Sequence, residues 1–158
     1  MPHDQDHGRL IEWVEQVAMF CADEYGVPPI AGRILGWLMI CDPPEQSASE
    51  IAETIGASRA SLTTNMRVLT DAKFVSRRTH PGGRTNYYRV DDNAWEAVVR
   101  RRVASLTAFR GIAAEGLELA GLGTARAERL QVAHDVYEWM ANAFAQSAPP
   151  TPESGADR

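Results

Sequence analysis

Residues 47–72 read SASEIAETIGASRASLTTNMRVLTDA, and this stretch decides the fold. Ser47 and Glu50 stand in capping-box spacing, each able to satisfy a free backbone amide of a first helical turn. A helix therefore starts at Ser47, with Ile51, Ala52 and Ile55 on its inner face. Gly56 follows at the C-terminus, where a left-handed backbone costs glycine least. Ser58 then caps a second helix running to about Ala72. Leu62, Met66 and Leu69 recur at helical spacing and face the core. Two short helices joined by a glycine-containing turn make a helix-turn-helix. Ala52 suits it, because a larger side chain would part helices that cross closely there.

Working outward, Phe74 to His80 and Thr85 to Val90 are rich in Val, Thr, Phe and Tyr and favour strand. Pro81-Gly82-Gly83-Arg84 between them reads as a hairpin tip, so the pair forms a wing. Upstream, a helix is expected from about Gly8 to Tyr25, with Leu10, Val14, Val17 and Cys21 along one stripe. An almost wholly apolar helix from about Ile30 to Cys41 should be buried. Downstream, long helices are expected over roughly Asp92–Leu119 and Thr124–Ala145, joined at Gly121-Leu122-Gly123. The fold class is mainly α with a small β wing: a winged helix-turn-helix flanked by N- and C-terminal dimerisation helices. The expected divisions are 1–26 for the first dimerisation helix, 27–91 for the winged domain, 92–147 for the C-terminal dimerisation helices and 148–158 for a disordered tail. The flanking helices need somewhere to bury their apolar stripes, and a second copy of the chain is the simplest cover.

Charge supports a nucleic-acid partner only when read locally. The chain carries −5 overall, yet residues 57–89 hold seven basic residues (Arg59, Arg67, Lys73, Arg77, Arg78, Arg84, Arg89) against the single acid Asp71. Residues 1–56 hold ten acids and two bases. A local basic face matters for DNA contact more than the global balance does. The longest apolar run, Ile34 to Cys41, is far too short to span a bilayer, and the N-terminus has no apolar signal-peptide core. Two cysteines make no disulfide framework, so a cytoplasmic location is expected, without membrane attachment.

Three segments together resemble the MarR family of regulators: Ala31-Gly32-Arg33-Ile34-Leu35-Gly36-Trp37-Leu38, Ser47 to Ala52, and Ser58 to Leu69. The nearest branch is the GbsR-like one, and the similarity extends to MarR-type repressors of lipid and drug efflux pumps in mycobacteria. It covers roughly Ile11 to Trp95 well and the last two helices only by pattern. The resemblance implies a dimeric repressor, a pseudo-palindromic double-stranded operator and release by a small apolar or amphipathic inducer, with an efflux transporter as target. Many family members carry an acidic residue two positions before the wing-tip Arg; this sequence has Gly82 there.

The candidate DNA-binding residues are Ser58, Arg59, Ser61, Thr64, Asn65 and Arg67 on the recognition helix, outside or near the edge of its buried stripe. Arg and Asn can make bidentate contacts with guanine and adenine edges, while hydroxyls bind phosphates or bases. In the wing the candidates are Arg77, Arg78 and Arg84, with His80 beside them. A tip Arg can enter a narrow minor groove, and strand alternation lets only one of Arg77 and Arg78 face the DNA directly.

Arg33 is the odd residue on an apolar helix, read either as half of a structural salt bridge or as a ligand contact with Phe20, Trp37 and Phe109 as apolar walls. Cys21 and Cys41 lie on buried stripes, which favours inert thiols over oxidant sensing. His80 and His134 are isolated in sequence, no Cys/His cluster has zinc spacing, and no catalytic motif is present, so neither metal, cofactor nor enzyme activity is expected. Two alternatives stay open at this point: a thiol redox-sensing repressor, and a winged-helix protein-interaction module without specific DNA binding.

Overall fold

The computed structural model describes residues 2–147. The tail expected at 148–158 lies outside the described residues. The elements are α1 (Pro2–Tyr25), α2 (Pro29–Ile40), β1 (Gln46–Ser47), α3 (Ala48–Ile55), α4 (Arg59–Asp71), β2 (Val75–Thr79), β3 (Asn86–Val90), α5 (Ala94–Ala120) and α6 (Ala125–Ala145). The chain divides into two units at the Ala94–Trp95 bond.

In the first unit α2 is the central element. Ile34 and Leu35 are fully buried and meet Ile51 of α3 and Leu62 and Leu69 of α4, also fully buried. Each such side chain contributes about 1.5–3 kcal/mol by leaving water. α1 covers the other side of α2 with Val14, Ala18 and Cys21. Close crossing there requires glycine: a Cβ on Gly32 would stand 2.7 Å from the Ala18 Cα. α1 begins at Pro2, six residues before the expected start at Gly8; proline at a first helical position gives up only an amide that has no intrahelical partner.

The helix-turn-helix forms as its sequence dictates. Ser47 caps α3 in a capping box with Glu50, whose carboxylate accepts the Ser47 backbone amide at 2.7 Å. Gly56 closes α3 at φ +67°, and Ser58 accepts the Ser61 amide at 3.2 Å to open α4. The strands form an antiparallel sheet in the order β1-β3-β2. β1 is an addition to the sequence reading: Gln46 pairs with Tyr88 and Ser47 with Tyr87. The wing pairs Arg77 with Tyr88, Arg78 with Tyr87 and Thr79 with Asn86. Its tip turns at Pro81-Gly82, with Gly82 at φ +77° and the Gly83 amide donating to the His80 carbonyl at 2.9 Å. Proline followed by positive-φ glycine is the type II pattern.

The second unit is the helix pair α5 and α6. Gly121 and Gly123, both at φ +75°, make the reversal between them, and Thr124 caps α6 by accepting the Ala127 amide at 3.1 Å. Phe109 packs on Tyr137, ring centroids 4.5 Å apart. No described helix is long and apolar enough to cross a membrane.

Candidate nucleic-acid interface

The outward face of α4 is set by where its core stripe lies. With Leu62, Met66 and Leu69 buried, Ala60, Thr63, Thr64, Arg67 and Asp71 point to solvent, and Arg59 is exposed in the first turn. Thr63 and Thr64 donate their hydroxyls to the Arg59 and Ala60 carbonyls at 2.9 and 3.1 Å, which fixes their methyl groups and leaves the oxygens able to accept. Ser58 is exposed but occupied as the helix cap. Ser61 is half-buried.

Asn65, expected outside or near the edge of the buried stripe, lies on the buried side of that edge. It is buried, and its amide donates to the Ser61 carbonyl at 2.8 Å. At 3.6 residues per turn it sits only about 60° around the helix from Leu62, inside the buried stripe. One amide N–H is thus held by the helix backbone. Thr63, which the sequence reading does not single out, is exposed one turn before Arg67 on the same outward face.

The wing supplies the rest of the basic surface. Arg77 and Arg78 are both exposed on opposite faces of β2. Arg77 shares a cleft with Thr63, Met66, Arg67, Lys73 and Tyr88, in a space of about 640 Å³ between α4 and the base of the wing. Arg84 is exposed one residue past the tip turn. His80 leans on Tyr87, centroids 4.8 Å apart, with Nε2 3.7 Å from a Glu45 carboxylate. Of the seven basic residues in 57–89, Arg89 is paired with Asp92 at 2.7 Å. Among the described residues the other six cations have no ion-pair partner. Cations without ion-pair partners on and between a helix and a hairpin are what a phosphate backbone requires.

The expected ligand contacts have the following surroundings. Arg33 binds Glu15 through Nε at 2.6 Å and is a third exposed, so it is a surface ion pair and not a buried charge awaiting a ligand. The Glu15 hydrogen bond raises its pKa further. The Trp37 indole donates to Gln46 Oε1 at 2.7 Å, Phe20 is exposed beside Tyr25, and Phe109 belongs to the second unit. None of the four lines the cleft described above. Cys21 and Cys41 are buried, and burial pushes both thiols above their ordinary pKa, which disfavours the reactive thiolate. His134 is less isolated than its sequence position suggests: its ring and the Asp135 and Glu138 carboxylates present ligand atoms within 4.8 Å of one another.

Comparison with known proteins extends over both units. A MarR family model matches residues 25–84, and a model described as an MmpR5-like MarR family transcriptional regulator matches residues 93–146. The chain is 35% identical over 136 residues to the HTH-type transcriptional regulator MmpR5 of Mycobacterium tuberculosis, covering 84% of this chain and 81% of that one. A crystal structure of a transcriptional regulator shares 33% identity and superposes with a TM-score of 0.62, covering 87% of this chain and 93% of that one.

Proposed function

This chain belongs to the MarR family of winged-helix transcriptional regulators, and from that premise we propose that it is a homodimeric repressor of a pseudo-palindromic operator. The family consists of transcriptional regulators and not of enzymes. The observation that carries the proposal is the set of six unpaired cations on α4 and the wing, on an otherwise acidic protein. Arg59, Thr64 and Arg67 would address the major groove from the recognition helix, with Ser61 at its edge. Arg84 would reach the adjacent minor groove from the wing tip, with Arg77 or Arg78 on phosphates.

Dimerisation is supported by the apolar side chains that α1, α5 and α6 leave in solvent, including Phe20, Ile112, Val132 and Trp139. The dimerisation roles given to 1–26 and 92–147, and the reading role given to 27–91, belong to this proposal. A cytoplasmic location fits a regulator of transcription. Release by a small apolar or amphipathic inducer, and control of an efflux transporter, follow from the resemblance alone; the Arg33–Glu15 pair lends no support to an inducer site there.

The test separates readout from anchoring. Arg59→Ala should weaken binding to the preferred operator by about 1–3 kcal/mol and change random-DNA binding little. Arg84→Ala should weaken binding to many sequences and relax any preference for A·T-rich flanks. Titrations of both duplexes at one fixed salt concentration measure the two. Equal losses on operator and random DNA for both variants would contradict the assigned roles. A protein-interaction module, the competing reading, predicts no change from either.

A further inference from the structure

Lys73 holds a backbone conformation that lysine does not favour. It lies at φ +63°, the only non-glycine residue at positive φ among those described. Its place explains the conformation: the Phe74 amide donates to the Leu69 carbonyl at 2.9 Å and the Lys73 amide to Thr70 at 3.1 Å. These two bonds close α4 in a Schellman motif, whose left-handed position is ordinarily glycine. The same device ends α3 at Gly56, at φ +67°. A lysine at this position carries a conformational cost that glycine would remove.

The side chain shows what the position gains. Lys73 is exposed and lines the cleft between α4 and the wing with Arg67 on the helix and Arg77 on β2. Asp71 and Asp91 also border the cleft, yet neither forms an ion pair with these three cations. In the arrangement proposed above the recognition helix occupies a major groove and the wing the neighbouring minor groove. The phosphate strand separating those grooves must then pass between helix and wing, across this cleft.

We propose that Lys73 is a phosphate anchor, held with Arg67 and Arg77 against the DNA strand that runs between the recognition helix and the wing. This rests on the operator-binding reading above and adds a residue and a strand position to it. The contact is to backbone oxygens and carries no base information. The turn places the residue 73 Cα at the mouth of the cleft, and only a side chain there, not the glycine that suits the turn, brings a charge to it.

The experiment pairs thermal melting with DNA binding by the full chain, using a labelled duplex from the region upstream of its own gene. Lys73→Gly should raise Tm by a few degrees, since it relieves the left-handed strain. The same variant should bind the duplex roughly tenfold more weakly, with the slope of log affinity against log salt shallower by about 2, one phosphate for each protomer of a dimer. Lys73→Gln keeps the strain and removes the charge, so it should lose the same affinity without the gain in Tm. Lys73→Arg should restore affinity and slope. A Lys73→Gly protein with unchanged affinity and salt slope overturns the anchor while the repressor reading stands. Absence of duplex binding by the unmodified chain at low salt defeats the repressor reading, and the anchor with it.

Discussion

In residues 2–94, large apolar side chains from different helices close on one another: Ile34 and Leu35 of α2, Ile51 of α3, and Leu62 and Leu69 of α4 are each at most 2% exposed. In residues 95–147, two longer helices bury only Val98, Ala113 and Ala141 among their apolar residues, while Ile112 is 63% exposed, Val132 67% and Trp139 70%. The centre of the first unit, where α2 meets α3 and α4, is closed, although α1 leaves Met19 and Phe20 in solvent. The helix pair presents an apolar surface of the kind that marks an interaction site on a soluble protein. Under the dimer proposed above, the two regions would depend on association to different degrees: the packing of α2 against α3 and α4 would stand without a partner copy, whereas the exposed faces of α5 and α6 would need one.

Truncation in each region should break that comparison if it is wrong. Leu69→Ala should cost about 2–5 kcal/mol in urea unfolding, through lost burial and the cavity left behind. Its shift in midpoint should be the same at every protein concentration. Trp139→Ala should leave the winged core intact but weaken self-association by about 2 kcal/mol, the scale of an aromatic hot spot. Its unfolding midpoint should fall with dilution more steeply than that of the unmodified chain, and sedimentation should show added monomer. A concentration-independent loss for Trp139→Ala would place its cover within the chain.

Asn65 sharpens the boundary between core and reading face within α4. Asn65→Ala removes the bond to the Ser61 carbonyl and should cost about 0.5–1.5 kcal/mol of stability. With its amide turned inward, the variant should show the same ratio of operator to random-DNA affinity as the unmodified chain. A selective loss on the operator would show that the amide rotates out to read a base.

The smallest effect concerns the α3 cap. Hydrogen bonds from the Ser47 hydroxyl and backbone amide hold the Glu50 carboxyl below the ordinary carboxylate range. A carboxylate with a depressed folded-state pKa stabilises the fold above its unfolded value, and that stabilisation is lost as pH falls through the lower, folded value. Thermal melts from neutral to acidic pH should therefore fall less steeply for Glu50→Gln than for the unmodified chain. Parallel curves would remove the capping carboxylate from the acid response.

The helix-turn-helix was legible because its signals are local. Ser47 with Glu50, Gly56, and Ser58 each fix a helix end through a bond made within four residues, and the Leu62-Met66-Leu69 spacing orients α4. Two features of the same region were not legible for opposite reasons. β1 is two residues long, too short for any period, and exists only because β3 passes beside Gln46 and Ser47. The spacing put Asn65 outside or near the edge of the stripe without settling which; its bond to its own helix backbone lets it sit on the buried side. Arg33 was legible in part: an acid partner was one of the two readings, but which acid was not, because Glu15 lies on another helix eighteen residues away. The C-terminal helices were legible in extent, while the cover of exposed residues such as Val132 and Val136 was inferred only from their apolar character.

The central claim is that the unpaired cations of α4 and the wing, doubled by dimerisation, bind duplex DNA. Fluorescence anisotropy of the full chain on a duplex from its own upstream region, repeated across a salt series, tests it most directly. If about half of the basic residues reach phosphates, a dimer neutralises roughly six to eight, and log affinity should fall against log salt with a slope of about −5 to −7. Binding that is nearly independent of salt would contradict the account.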